Sequence, residues 1–185
     1  MRPTNRPIAT KALELAVANI GVTEVGVNRG VAVEAYQASC KPPIPAGSPW
    51  CAAVVRFRMK QAATALGTTY DTTFPRSGDT PDWSNWAKEN GCWISVADAK
   101  ASVANKAGRV LPGDLVLFYI KPLGRIGHIG VIQSVHSWGV WTIEGNTSPE
   151  PSDAYAVERD GDGYFRKKRN WSELGTYGGV LTVNF

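Results

Sequence analysis

An α+β fold, with N-terminal helices packed on an antiparallel β-sheet, is predicted by three features of the sequence. Helical patterning is confined to the first half, where Ala, Leu and Val recur at three- and four-residue spacing. Short runs rich in Val, Ile, Tyr and Trp, bounded by Gly, Pro and Asp, occupy the second half. Segregation of the two, rather than strand-helix alternation, argues for a helical layer on one face of an antiparallel sheet. The 185 residues are the size of one domain, and 43% apolar residues suffice for a core. No internal repeat or low-complexity linker marks a boundary, so residues 1–185 read as a single domain.

The elements follow in order. Ala9 to Ile20 is rich in Ala and Leu and predicts a first helix, and Val31 to Ala38 a second. Pro49 to Leu66 is the clearest helix: Val54, Val55, Met59, Ala62 and Leu66 share one face, with Arg56 and Lys60 on the other. From Thr68 to Pro81 the composition shifts to Thr, Asp, Ser, Gly and Pro, a surface loop. A short helix opens at Thr80-Pro81 and runs through Trp83 and Trp86. Strands are predicted at Leu115 to Ile120, His128 to Val135, Gly139 to Glu144, Tyr155 to Arg159, Tyr164 to Arg169 and Gly179 to Asn184.

Composition narrows the function classes. A net charge of +4 and a pI near 9.0 favour anionic partners only modestly. The one basic run, Arg166-Lys167-Lys168-Arg169, alternates between strand faces and forms no stripe. It reads as a solvated strand end, and no nucleic-acid partner is expected. Cys40, Cys51 and Cys92 are too few and too scattered for a disulfide scaffold or a zinc site. Either a Cys40–Cys92 bridge leaves Cys51 free, or all three are reduced thiols with two buried as small apolar residues. Asp160-Gly161-Asp162-Gly163 begins like a calcium loop but lacks the later oxygen ligands, and a turn before Tyr164 explains it. No metal or other cofactor is expected. Lys11 and Glu14 interrupt the N-terminal apolar stretch well short of a signal-peptide core. No run approaches the roughly 20 apolar residues of a membrane span. A soluble monomer is the expectation.

Ser48-Pro49-Trp50-Cys51 reads as a capping serine, a proline at the first helical position and a cysteine in the first turn. Unpaired backbone N–H groups and the positive end of the helix dipole there favour the thiolate, the form that attacks carbonyl carbon. The chain has two histidines. His128 opens a strand between Gly127 and Gly130, which let another backbone or a substrate come close. His136 lies among Ser134, Ser137 and Trp138 near a turn and reads as solvated or structural. A base for Cys51 needs a third polar group to fix its ring. A hairpin with the next strand brings Glu144 or Asn146 towards His128, and either fits.

Taken together, several segments resemble the CHAP family of cysteine- and histidine-dependent amidohydrolases and peptidases. These are Gly21-Val22-Thr23-Glu24, Asn28-Arg29-Gly30, Val33-Glu34-Ala35-Tyr36, Pro49-Trp50-Cys51-Ala52-Ala53, Pro112-Gly113-Asp114-Leu115, His128-Ile129-Gly130-Val131 and Glu144-Gly145-Asn146. The likeness runs over roughly residues 10 to 183. It implies a papain-like fold in which Cys51 is the nucleophile, His128 the general base and acid, Glu144 the residue orienting His128, and Asn146 a further polar member. It also sets the loop of Glu24 and Asn28 beside the catalytic groove, where substrate contact and a turn role are both open. Trp50 is a candidate groove wall that stacks against sugar or peptide, though a buried aromatic neighbour is the commoner fate of such a residue. Members commonly cleave bacterial peptidoglycan and many are phage lysins. The implied partner is therefore cell-wall peptidoglycan, reached by release through lysis machinery or on a phage particle. The implied activity is an N-acetylmuramoyl-L-alanine amidase or an endopeptidase acting through an acyl-enzyme. The alternatives are an amidase on a non-wall amide and an inactive wall-binding module.

Overall fold

The computed structural model describes residues 5–70, 74–149 and 161–184. Helices α1 (Pro7–Val17), α2 (Val31–Ser39), α3 (Cys51–Ala65) and α4 (Thr80–Glu89) come first. Strand β1 (Trp93–Ser95) and helix α5 (Val96–Ala104) follow, then β2 (Leu115–Ile120), β3 (Arg125–His136), β4 (Gly139–Thr147), β5 (Gly163–Asn170) and β6 (Gly179–Leu181). Short 3₁₀ turns stand at Lys121–Leu123 and Trp171–Leu174. The strands form one six-stranded sheet in the order β1-β6-β2-β3-β4-β5, with every adjacent pair antiparallel. The α+β class is as the sequence predicts.

Alternation along the strands feeds two cores. Leu115, Leu117, Ile129, Val131 and Ile143 join the helical layer, where Ala9 and Ala12 of α1, Val55 and Met59 of α3 and Trp83 of α4 are buried. The alanines of α1 leave little side chain between helices, so α1 can lie close against α3. Val116, Phe118, Ile132 and Val140 point to the opposite face and pack with Ala99 of α5 and with Trp171 and Leu174. The sheet is thus covered on both faces, where the sequence predicts helices on one. β1 and α5 are the elements that the sequence reading leaves out. β1 has only three residues, and α5 is short and carries a weak apolar stripe.

Other differences have local causes. The helix expected from Pro49 begins at Cys51, with Trp50 at the cap position and no side chain capping it. Ser48 instead offers its carbonyl to Gln37 Nε2 at 2.7 Å. Arg56, expected on a solvent face with Lys60, is fully buried with its guanidinium over the Tyr70 ring. Leu66, expected in the core, is past the last turn and 44% exposed. The predicted strand Tyr155 to Arg159 lies outside the described residues, as does Asp160 of the Asp-Gly run. Arg6 is buried and donates to Asp114 Oδ1 at 2.7 Å and to the Val183 carbonyl at 2.8 Å. It ties the start of α1 to the Pro112-Gly113-Asp114 turn and to the end of the chain. No helix among the described residues is long and apolar enough to cross a membrane.

Candidate active site

Cys51 is the first residue of α3 and 4% exposed. Strand β4 holds this helix start in place. The Trp50 backbone N–H donates to Asn146 Oδ1 at 3.1 Å. Asn146 adopts φ 60° where the β4–β5 register shifts, a left-handed conformation that asparagine tolerates better than most residues. Beside it, a Cβ on Gly145 would lie 2.6 Å from both Trp50 Cζ3 and Val54 Cγ1. The glycine is what lets α3 touch the strand.

His128 of β3 is fully buried, opposite Phe118 of β2, with the rings 5.5 Å apart. Glu144 of β4 pairs with Gly130, two residues along from His128 on the same face. A Cβ on Gly130 would come within 2.6 Å of Glu144 Cγ. The glycine leaves the space across which the glutamate side chain reaches back to the histidine. Glu144 Oε2 stands 2.9 Å from His128 Nε2. Nε2 is therefore committed to the carboxylate, which assigns Nδ1 to Cys51. Nδ1 is buried and forms no well-aligned hydrogen bond among the described residues. Of the two candidates for orienting the ring, Glu144 contacts it, and Asn146 holds the start of the helix that carries Cys51.

The Glu144 carboxylate is enclosed by donors. Arg169 of β5 grips it with two bonds, Nη2 to Oε2 at 2.7 Å and Nε to Oε1 at 2.9 Å. The Thr142 hydroxyl donates to Oε1 at 2.6 Å. Burial alone would push the Glu144 carboxyl up, but the Arg169 charge and hydrogen bonds, with His128 adding to them, hold it well below the usual carboxylate range. Burial likewise favours neutral His128, yet its contacts with Cys51 and Glu144 outweigh that and raise it to about 9. Burial disfavours the Arg169 charge, and Glu144 more than offsets it, so this guanidinium stays protonated.

The sequence reading misses Arg169. Its run is not a solvated strand end throughout: Lys167 and Arg169 are buried, while Arg166 and Lys168 are exposed and lie over the rings of Trp141 and Trp138. Alternation was the available signal, but it does not tell which face is inward.

Remaining candidates sit behind Cys51. Trp50 is fully buried, so it offers no ring face to a ligand and does not form the expected groove wall. Its indole N–H donates to Glu24 Oε2 at 3.0 Å, and its ring lies 5.7 Å from that of Tyr36. Glu24 Oε1 accepts the Asn28 backbone N–H at 3.0 Å, and the Asn28 carbonyl accepts Gln37 Nε2 at 3.0 Å. For these two residues the turn role is the one with contacts, bracing the loop against the start of α3. All three cysteines are free and buried, so the alternative of reduced thiols holds. Burial pushes the Cys40 thiol up, with Arg56 opposing in part, and makes it a poor nucleophile. His136 is half-buried and stacked on Trp138 at 4.8 Å, with Nε2 2.9 Å from Ser134 Oγ. Among the described residues no group of three or more His, Cys, Asp or Glu side chains converges to hold a metal.

A buried cysteine at a helix start, a histidine beside it and a carboxylate on the far ring nitrogen form an arrangement able to run nucleophilic acyl transfer. No curated protein matches the chain. A solved structure described as "The crystal structure of Ly7917" aligns with a TM-score of 0.48 and 14% identity over 95% of this chain. This chain covers 62% of that one, less than two thirds of its length. A family model described as the CHAP domain matches residues 44–146, more than half of the chain, a span holding Cys51, His128, Glu144 and Asn146. The chain belongs to the CHAP domain family, whose members are hydrolytic amidase and peptidase domains.

Proposed function

We propose that this chain is a peptidoglycan hydrolase of the endolysin type, cutting an amide bond through an acyl-enzyme on Cys51. The bond is either the N-acetylmuramoyl-L-alanine linkage or a peptide bond of the stem or cross-bridge, and the enzyme works as a monomer on the cell wall. The observation that carries the reading is the buried His128–Glu144 pair beside the first residue of α3.

In the first half-reaction the Cys51 sulfur, as thiolate, attacks the amide carbonyl carbon. Its electron pair forms the C–S bond, and the carbonyl electrons move onto oxygen. No side chain caps α3, so the backbone N–H groups of its first turn are the natural donors to that oxyanion. One such donor contributes roughly 3 kcal/mol of barrier lowering. His128, protonated at neutral pH, hands a proton to the departing amine as the C–N bond breaks. The neutral ring then takes a proton from water, hydroxide displaces the sulfur, and the second product leaves as a carboxylate. Glu144 keeps Nε2–H engaged throughout, so that the ring presents the same nitrogen in both steps.

Digestion of purified peptidoglycan from several wall chemotypes by wild type and Cys51→Ala, with mass spectrometry of the products, tests this reading. Fragments released only by the wild type are expected, and their new termini name the bond. If every chemotype stays intact while Cys51 still reacts with a thiol probe, the substrate is another amide and the wall assignment falls.

A further inference from the structure

We propose that Arg169 is a positioning residue for the Cys51–His128 pair: its guanidinium fork locks the Glu144 carboxylate so that Oε2 takes Nε2–H of His128 and Nδ1 is left to the cysteine. The catalytic consequence rests on the reading given under Proposed function, but the geometric claim stands apart from it.

Arg169 starts on β5 opposite Val140 and sends its side chain back along β4, past Thr142, to reach Glu144. Its guanidinium meets both carboxylate oxygens, which fixes rotation about the terminal bond of the glutamate in a way one donor does not. The fork is itself held. Arg169 Nη1 lies 3.4 Å from Glu173 Oε1, and the guanidinium carbon sits 5.3 Å from the centre of the Phe118 ring. Glu173 is anchored in turn by a reciprocal cap with Asn170. Phe118 packs against His128 as well, so one ring spaces both the imidazole and the guanidinium.

The charged neighbours are few. His128 faces Cys51 from α3 and Glu144 from β4, while Glu144 faces Arg169 from β5, and Glu173 beyond it partly balances the guanidinium. Without the arginine, a fully buried carboxylate beside one histidine would be driven towards its neutral form. It would then compete as a hydrogen-bond donor for Nε2, and the ring could present the wrong tautomer to the sulfur.

The test uses protein with ¹⁵N-labelled histidine, comparing wild type, Arg169→Met and Arg169→Lys, with Cys51→Ala as the alkylation control. Two readouts are followed: the ring titration of His128 by NMR, with His136 as internal reference, and the rate of iodoacetamide alkylation of Cys51 at pH 7. In Arg169→Met the His128 midpoint should fall from about 9 while His136 stays put, and alkylation of Cys51 should slow. Arg169→Lys keeps a charge but not the fork, and should fall between the two. A folded Arg169→Met with both readouts unchanged would reduce Arg169 to a cross-strand tie and overturn the proposal. If Arg169→Met does not fold, Arg169→Lys decides: an unchanged midpoint and rate there equally overturn it. Neither readout involves the wall, so a wrong substrate assignment and a wrong role for Arg169 give separate results.

Discussion

The two histidines stand eight residues apart on β3, and their surroundings differ in almost every respect. His128 is fully buried, bonded to a carboxylate that is itself gripped by an arginine. His136 is half-buried, stacked flat on Trp138 and bonded to a serine hydroxyl. An even separation would place both on one face of a regular strand. The register shift between Ile132 and Ser134 turns the far end over, so Val135 joins the second core and His136 comes out beside Trp138. One irregularity in the ladder thus separates a buried histidine bonded to a carboxylate from one stacked at the surface.

Breaking the buried end should produce the largest effects. Cys51→Ala and His128→Ala are each expected to lower kcat roughly 10³-fold or more, as when one member of a concerted set is removed. Circular dichroism should show the fold retained, and residual turnover near wild type in either would contradict the assignment. Glu144→Gln keeps the shape but offers an amide where Arg169 and His128 need an anion. A loss on the order of 10²- to 10⁴-fold in kcat is expected, with about 3–5 kcal/mol of stability lost by leaving the buried arginine without its main partner. Urea denaturation monitors the second effect. Gly130→Ala sharpens the comparison, because it alters no polar group. The added methyl would meet Glu144 Cγ at 2.6 Å, and the displacement should cost about 1–3 kcal/mol. A shift of the carboxylate by a fraction of an ångström should lower kcat by roughly tenfold, whereas unchanged kcat would show that the space over Gly130 is not used.

The pH dependence follows from His128. Its folded value lies above the ordinary one, so the protonated ring is present below about 9 and is lost as pH rises through it. A kcat/KM profile should therefore decline on the alkaline side near that pH. The stability contributed by the ring's contacts should be full below about 6.5, the unfolded value, and fade over the same alkaline rise. Glu144 works in the opposite direction: its folded value is depressed, so its contribution is present above the ordinary carboxylate range and lost as pH falls through the folded value. The smallest effect belongs to the other histidine. His136→Ala should change kcat less than about twofold, in keeping with a surface substitution. A loss comparable to that of His128→Ala would undo the contrast between the two.

Much of the site was legible in the sequence because short, strict requirements leave marks. A cysteine opening an amphipathic helix, a histidine between glycines and a glutamate at the end of the next strand are local patterns. The α+β class was legible for the same reason. Contacts that depend on which face of a strand is buried were not. Arg169 looked like one charge of four in a run until β4 supplied the carboxylate it pairs with. Trp50 stood open between a groove wall and a buried neighbour of Cys51 until Glu24 and Tyr36 enclosed it. The start of α3 was misplaced by two residues because Trp50, rather than Ser48, stands at its cap position and no side chain caps the helix.

The central claim, that Cys51 carries the acyl group, is tested most directly by acid-quenching wild type and Cys51→Ala during turnover of peptidoglycan fragments and mapping adducts by peptide mass spectrometry. The account predicts a thioester-linked fragment on Cys51 in the wild type, and neither adduct nor product in Cys51→Ala. Product formation by Cys51→Ala at a rate near the wild type's would contradict it.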